Sequence, residues 1–228
     1  MSKFTILLGG DVTPTDRLRK QVAGSRVIAA DSGMAHARAL GLTPELWVGD
    51  FDSAGTALEE AYADVPRHVF PAAKDSTDGE IAISEALKQG ATGLVLVGGF
   101  GGQFDHVLAH AMLLMALARR GVQAVLTSGN EEAHALLQLL LFVDLAAGTR
   151  LSVIPLTEIK GLTISGVRWP TNASAGAPHS ASPKVRRWWC CTRHDAACGE
   201  PSRPAWRRHC GNGRWRAPCA ESAGGRNG

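Results

Sequence analysis

Four short polar motifs carry most of the side chains in this sequence that could do chemistry. They are Asp31-Ser32-Gly33, Gly49-Asp50-Phe51-Asp52-Ser53, Lys74-Asp75-Ser76-Thr77-Asp78 and Gly98-Gly99-Phe100-Gly101-Gly102-Gln103-Phe104-Asp105-His106. Together they contain six aspartates. Carboxylates gathered at one place repel one another, so a shared site requires a cation. Mg²⁺ prefers one or two carboxylates together with phosphate oxygens and water.

The elements that must position these motifs are predicted by an alternation of short apolar runs with helical patterns. Strands are predicted over residues 4–8, 26–30, 46–48, 67–70, 94–97 and 122–126, and helices over 14–23, 33–40, 57–63, 78–89 and 104–120. This alternation is typical of an α/β fold with a mainly parallel sheet flanked by helices. Thr77 and Glu80 have the spacing of a capping box. Ligands of open α/β sheets bind at the carboxyl ends of the strands, so we expect all four motifs along one sheet edge.

Each motif alone has a plainer explanation. Asp31 and Asp105 could cap the helices that follow them. The glycines at 98–102 suit phosphate oxygens before a helix N-terminus, although a tight strand-to-helix turn needs the same glycines. They do not form a dinucleotide-binding fingerprint, because Phe104 replaces its third glycine, and the sequence has no P-loop motif. Asp50-Phe51-Asp52 resembles the D-x-D of haloacid-dehalogenase-type phosphatases, but Ala54 replaces their threonine. The metal-binding D-x-D of nucleotide-sugar transferases stays an alternative.

The charge of the chain is divided unevenly along its length. Residues 1–170 hold 14 Lys and Arg against 18 Asp and Glu, whereas residues 171–228 hold 10 against 3. The net positive charge of the chain therefore comes from residues 171–228. The first 170 residues give no support for a nucleic-acid partner. The apolar run near the N-terminus is too short for a signal peptide or a membrane span. We therefore expect a cytoplasmic protein with no membrane partner.

The pattern changes after Gly129, which gives three predicted regions. Residues 1–128 are predicted to form the α/β catalytic domain. Apolar runs at 133–143, 150–154 and 162–164 without intervening helices predict antiparallel strands, the beginning of an incomplete sandwich-type β-domain over 129–170. Three strands without a partner sheet would leave an apolar face exposed.

Residues 171–228 have an unusual composition. Val185 is their only Val, Ile, Leu or Phe, yet they hold four of the six tryptophans and all five cysteines. Such a segment cannot bury enough apolar surface to fold, and its Cys spacing matches no zinc module. A disordered basic arm with interleaved Arg and Trp is an alternative. We interpret the segment as an atypical tail produced by a reading-frame change soon after Pro170.

The four motifs, in this order and spacing, resemble the catalytic domain of thiamine pyrophosphokinases. The resemblance covers residues 1–130 and extends to Gly166-Val167-Arg168-Trp169-Pro170, which is similar to a motif in that family's β-domain. It implies that ATP and thiamine bind a homodimer and that the thiamine hydroxyl attacks the β-phosphorus of ATP, releasing AMP. Such transfers depend on positioning and charge neutralisation.

The resemblance also implies residue roles. Asp50, Asp52 and Asp78 would hold Mg²⁺ against the triphosphate and form the catalytic set. The nucleotide site would further include Asp31, Ser53, Lys74, Asp75, Thr77, Gly99, Gly101, Gly102, Gln103 and Asp105. Trp169 would stack on thiamine from the partner chain, although without the resemblance a tryptophan in the core of a small sheet is the simpler interpretation. Gln103 departs from the family, which usually has Arg there and thus a bidentate cationic grip on phosphate.

Three alternatives to this function remain open at the level of sequence. One is a pyrophosphokinase with another acceptor, such as a hydroxymethylpterin, against which the Trp169 motif argues. Another is the D-x-D nucleotide-sugar transferase. The third is an inactive nucleotide-binding remnant, because the tail replaces the strands that should complete the β-domain.

Overall fold

The computed structural model describes residues 2–51, 55–71, 76–137, 141–156, 159–168 and 170–175. All of them belong to the first of two units into which the chain divides, Met1–His194. Within these ranges no helix is long and apolar enough to cross a bilayer.

A seven-stranded sheet forms the centre of the domain. Its strands are β1 (Lys3–Leu7), β2 (Arg26–Ala30), β3 (Leu46–Gly49), β4 (Arg67–Val69), β5 (Gly93–Val97), β6 (Gln123–Thr127) and β7 (Glu132–His134). The spatial order is β4-β3-β2-β1-β5-β6-β7, and every neighbouring pair is parallel except β6 with β7. The predicted parallel α/β sheet is therefore confirmed, with each predicted strand within two residues of its observed bounds.

Helices connect the parallel strands. They are α1 (Asp16–Val22), α2 (His36–Leu40), α3 (Thr56–Ala61), α4 (Asp78–Lys88) and α5 (Phe104–Arg119), and a 3₁₀ turn over Asp31–Ala35 precedes α2. The predicted capping box of α4 is present, because Thr77 accepts from the Glu80 amide while the Glu80 carboxylate accepts from the Thr77 amide. Each bond satisfies an amide that the first helical turn leaves without a partner.

Two apolar clusters cover the two faces of the sheet. Phe4, Ile6 and Leu8 point into the cluster beneath α4 and α5, whereas Leu7 points into the cluster beneath α1 and α2. Strands buried on both faces read as continuous apolar runs, which is why β1, β2 and β5 are recognisable in the sequence.

The structure corrects the prediction for residues 129–164. Glu132–His134 is the antiparallel edge strand β7 of the α/β sheet, and it ends well before residue 143. Residues 150–154 form no strand. The periodicity of these apolar runs could not determine their secondary structure, since a short apolar segment is compatible with several environments.

A separate two-stranded antiparallel sheet follows. It consists of β8 (Ile159–Ile164) and β9 (Thr171–Ala175), and the predicted strand at 162–164 is part of β8. The first five residues of the predicted tail thus form a strand. Residues 176–228 lie outside the described part of the chain, and the proposed division into domains stays a prediction.

The edge strand β7 is tied to α1 by a charged network around Glu132. Arg17 and Gln21 donate to its two carboxylate oxygens, with Arg17 Nη2–Oε2 at 3.0 Å and Gln21 Nε2–Oε1 at 2.9 Å. His134 Nε2 lies 3.3 Å from Oε2. Burial disfavours ionisation of Glu132, but the hydrogen bonds from His134 and Arg17 outweigh it and lower its pKa to about 2. The network fixes α1 against the edge of the sheet.

This network predicts a pH-dependent contribution to stability. Because the pKa of Glu132 in the folded chain lies below its ordinary value of 4.5, its contribution is complete above about pH 4.5 and is lost as pH falls towards 2. We expect Glu132→Gln to reduce the free energy of unfolding by about 2 kcal/mol at pH 5.5, and the difference from wild type to shrink towards pH 2. Urea unfolding at a series of pH values measures this. The control is Glu131→Gln at the exposed neighbouring residue, and a difference that is constant with pH would contradict the expectation.

Candidate functional site

The site lies at the switch point of the sheet. From β1 the chain adds strands in one direction as far as β4 and then returns to place β5 on the other side of β1. In open α/β sheets the crevice outside the carboxyl ends at such a reversal is where ligands bind. Since β1 to β6 are parallel, all of their carboxyl ends lie along this edge.

The ends of β1 and β5 are joined through their backbones. The Gly10 amide donates to the Gly98 carbonyl at 2.8 Å, and the Asp11 amide donates to the Phe100 carbonyl at 2.8 Å. A Cβ on Gly10 would lie 2.2 Å from the Phe100 oxygen and 2.4 Å from the Gly98 oxygen. Only glycine allows this approach, so Gly10 is required by the geometry of the crevice.

The Asp31 and Asp50 motifs lie at adjacent strand ends. Asp31 follows β2 directly and Asp50 follows β3, and a Cβ on Gly49 would lie 3.3 Å from the Asp31 Cα. Asp31 has φ 43° and Phe51 has φ 64°, and these are the two non-glycine residues with positive φ among those described. Such conformations cost about 1–3 kcal/mol each and cluster at functional sites.

Trp47 holds both of these strained residues. Its indole Nε1–H donates to the Asp31 carbonyl at 2.9 Å, and its ring meets Phe51 edge-on at 4.9 Å between centroids. Arg67 lies over both rings and pairs with Glu59 at 2.7 Å. Trp47, which is completely buried, therefore supports the two turns that carry Asp31 and Asp50.

The start of α4 approaches the same edge. A Cβ on Gly79 would lie 2.9 Å from Leu8 Cδ2, which places the first turn of α4 beside the end of β1. Asp78 is the first residue of α4, where a carboxylate is favoured by the helix dipole, and it is partly buried. The Thr77 hydroxyl is used in the capping box.

The glycine loop leads into α5. Gly98, Gly101 and Gly102 have φ of 82°, 81° and 70°, a conformation that favours glycine. A Cβ on Gly101 would lie 2.2 Å from Asp11 Oδ2, and one on Gly99 would lie 2.1 Å from Leu126 Cδ1. The loop is therefore packed against β6 and against the segment that follows β1.

Neither Asp31 nor Asp105 caps a helix. Gln103 occupies the N-cap of α5 without a side-chain bond, and Asp105 lies in the first turn, where its Oδ1 accepts from the His106 amide at 2.9 Å. Asp31 is the first residue of the 3₁₀ turn, whose N-cap position is Ala30. The capping alternative considered from the sequence was thus wrong for both aspartates. Gln103 and Asp105 are exposed.

Three residues of this region were missed by the sequence analysis. Asp11 follows β1 through Gly9-Gly10, and the glycine directly before an aspartate at a strand end, as in Gly49-Asp50, could have identified it. His110 Nδ1 lies 3.2 Å from the Gly99 carbonyl. Trp47 and His110 contact backbone carbonyls that are distant from them in sequence. No local sequence pattern therefore identifies these two residues.

Two of the three predicted magnesium ligands, Asp50 and Asp78, lie among the described residues. Asp50 and Asp78 offer the hard oxygen donors that Mg²⁺ takes, but the described ranges contain no cluster of three or more acidic, His or Cys side chains suited to a metal. Mg²⁺ binds with one or two carboxylates when phosphate and water complete its shell, so this donor set fits a nucleotide-bound ion. Asp52, Ser53, Lys74, Asp75 and Trp169 lie outside the described residues.

The sequence of the domain matches a known family. Residues 20–126, from within α1 to within β6, match the family described as thiamin pyrophosphokinase, catalytic domain. Over these residues the α/β domain is similar to the catalytic domain of thiamin pyrophosphokinases. The matched segment includes the strand ends that carry Asp31 and Asp50, the start of α4 and the glycine loop. The predicted resemblance to this family is confirmed.

Two solved structures share the fold of the chain. The chain resembles thiamine pyrophosphokinase from Bacillus subtilis with a TM-score of 0.65 and 22% identity, over 78% of this chain and 86% of that one. It resembles a thiamin pyrophosphokinase family protein from Enterococcus faecalis with a TM-score of 0.57 and 23% identity, over the same 78% and 86%. At these identities the likeness shows a common fold. No curated protein sequence matches the chain.

The support given by Trp47 can be measured. Trp47→Phe removes the bond to the Asp31 carbonyl and leaves part of the ring volume empty, and we expect a loss of about 2–3 kcal/mol in the free energy of unfolding. Chemical denaturation measures this loss. Tyr62→Phe is the matched control, because it keeps a ring at 6.5 Å from Trp47, and we expect a change below about 0.5 kcal/mol. A Trp47→Phe variant as stable as wild type would show that the hydrogen bond from the indole to the Asp31 carbonyl does not stabilise the fold.

Proposed function

We propose that the chain transfers a diphosphate group from ATP to the hydroxyl of thiamine, giving thiamine diphosphate and AMP. The observation that carries this proposal is the convergence of the family's motifs at the switch point: Asp31, Asp50, the start of α4 and the glycine loop all lie at one sheet edge. The family match over residues 20–126 supports the same activity.

The proposed reaction is an in-line displacement at phosphorus. A bond forms between the thiamine hydroxyl oxygen and the β-phosphorus, while the bond from that phosphorus to the oxygen bridging to the α-phosphate breaks. AMP leaves with the bridging oxygen, and the hydroxyl proton passes to solvent or a nearby carboxylate. Catalysis of this kind rests on positioning and on electrostatic stabilisation of the phosphoryl oxygens. The glycine loop and the N-terminus of α4 supply amide donors and a positive helix dipole for that purpose.

Asp50 and Asp78, together with Asp52, are proposed to hold Mg²⁺. When bound, the ion would neutralise phosphate charge. The contribution of the chain is to hold the carboxylates at adjacent places on one edge. Asp50 follows β3 directly and is kept there by the Phe51 turn against Trp47, and Asp78 is kept there by the capping box of α4.

We also propose that the sheet of β8 and β9 is part of a second, thiamine-binding domain and that the active assembly is a homodimer. In this proposal Trp169, in the segment between β8 and β9, stacks on thiamine from the partner chain. A complete β-domain would be needed for this contact, so the tail decides whether the chain retains full activity.

The activity has a direct test. Incubating the full chain with Mg²⁺, ATP and thiamine is expected to give AMP and thiamine diphosphate in equal amounts, measured by chromatography, and neither when thiamine is omitted. Formation of ADP, or of a product only with a hydroxymethylpterin or a sugar nucleotide, would contradict the proposal. Binding of Mg-ATP without any product would identify a nucleotide-binding remnant.

The role of Asp50 has a matched test. Asp50→Asn removes one carboxylate from the proposed magnesium site with little change in shape, and we expect kcat to fall on the order of 100-fold, partly restored by higher Mg²⁺. The control is Asp64→Asn, because Asp64 is exposed and precedes β4 at the opposite edge of the sheet. Steady-state kinetics over a range of Mg²⁺ concentrations measures both variants. Equal kcat values for the two would remove Asp50 from the catalytic set.

A further inference from the structure

Three consecutive carbonyls of the glycine loop are each held by a donor from the protein. The Gly98 and Phe100 oxygens accept from the Gly10 and Asp11 amides, both at 2.8 Å. The Gly99 oxygen, between them, faces His110 Nδ1 on α5 at 3.2 Å. A carbonyl oxygen only accepts, so Nδ1 carries the proton and donates. His110 is thus the one side chain among these three donors.

Holding the carbonyls fixes where the amides of the loop point. A trans peptide is planar and directs its C=O and N–H to opposite sides. With the carbonyls of Gly98, Gly99 and Phe100 turned towards β1 and α5, the amides of Gly99, Phe100 and Gly101 are directed away from those donors. A loop that turns its oxygens inward and its N–H groups outward suits an anion.

The peptide between Gly99 and Phe100 needs this restraint. Glycines tolerate both signs of φ, and Gly98 and Gly101 on either side already have φ of 82° and 81°. Without His110 this peptide could rotate and present its carbonyl oxygen to an anion, which would repel it. The bonds from Gly10 and Asp11 restrain the neighbouring peptides but not this one.

The imidazole fills a defined space. His110 is partly buried, and its Nε2 lies 3.9 Å from the position of a Cβ on Gly79, at the start of α4. Burial lowers the pKa of His110, and the nearby charge of His106 lowers it further. The hydrogen bond to the Gly99 carbonyl and the charge of Glu80 act in the opposite direction. A neutral imidazole has one proton, and the Gly99 carbonyl places it on Nδ1.

We propose that His110 is a positioning residue that fixes the Gly99–Phe100 peptide so that its amide faces the polyphosphate of a bound nucleoside triphosphate. The proposal rests on the proposed function, because it takes the glycine loop as the nucleotide site. His110 acts through the backbone of the loop and does not itself contact the reacting atoms.

Two substitutions separate the hydrogen bond from the packing. His110→Phe keeps a ring of similar shape but removes the donor, and His110→Asn keeps a nitrogen donor one bond from Cγ, as in Nδ1. For His110→Phe we expect the dissociation constant for a non-hydrolysable ATP analogue with Mg²⁺ to rise about tenfold by titration calorimetry, with KM for thiamine unchanged. We expect His110→Asn to restore affinity to within about threefold of wild type. The control is His106→Phe, the same exchange at an exposed position of α5, which should bind as wild type.

The outcomes are distinguishable. If wild type binds the analogue and makes thiamine diphosphate while His110→Phe binds equally well, the inference is overturned and the proposed function stands. If His110→Asn binds the analogue as weakly as His110→Phe, although both variants melt at the wild-type temperature, loss of the hydrogen bond does not explain the weaker binding. The inference is then again overturned. If wild type binds no nucleotide, both proposals fall. If His110→Phe does not fold, His110→Gln takes its place in the comparison. The side-chain nitrogen of Gln lies one bond further from Cγ than Nδ1 of His does. The inference then requires His110→Gln to bind the analogue more weakly than His110→Asn.

Discussion

The backbone contact between the ends of β1 and β5 is the constraint on which the rest of the site depends. Gly10 and Gly98 approach so closely that a Cβ on Gly10 would lie 2.4 Å from the Gly98 oxygen. A similar constraint acts at Gly33, where a Cβ would lie 2.3 Å from the Leu7 oxygen, so the Asp31 turn also packs directly on the end of β1. Main-chain contacts therefore hold the Asp31 turn and the glycine loop close to the end of β1.

Strain around this crevice is supported by packing that continues into the core. Asp31 and Phe51 adopt positive φ, and both contact Trp47, whose ring belongs to the apolar cluster beneath α1 and α2. Conformations of this kind persist when the surroundings over-determine them. Trp47 thus ties the turns at the ends of β2 and β3 to the core, an arrangement that would suit the proposed site, in which charges are positioned before the reaction begins.

The elements β1 to β6 and α1 to α5 could be predicted because their signals are local. Continuous apolar runs marked the buried strands, and Thr77 with Glu80 marked the start of α4 to the residue. The edge strand β7 could not be predicted in the same way: Glu132 is fixed by Arg17, 115 residues away, and nothing in the run after Gly129 indicates that partner. The residues of the candidate site also divide into those with a local sequence signal and those without one. The aspartate motifs were visible as strand-end patterns, whereas Trp47 contacts a carbonyl 16 residues away and His110 one 11 residues away.

The composition of the glycine loop explains why the orientation of its peptides matters in this chain. Residues 98–106 contain no Lys or Arg, and Gln103 stands where the resemblance described above implies an Arg. An Arg would attract phosphate over several ångströms whatever the orientation of the neighbouring amides, whereas a neutral amide acts only through a well-aligned hydrogen bond. In the proposed function, a loop without its own cation would stabilise phosphate through main-chain N–H groups and through the Mg²⁺ that the acidic motifs are proposed to hold. In such a loop, one inverted peptide would replace a donor by a repulsive oxygen, and the donors that restrain the carbonyls become as important as the groups that face the ligand.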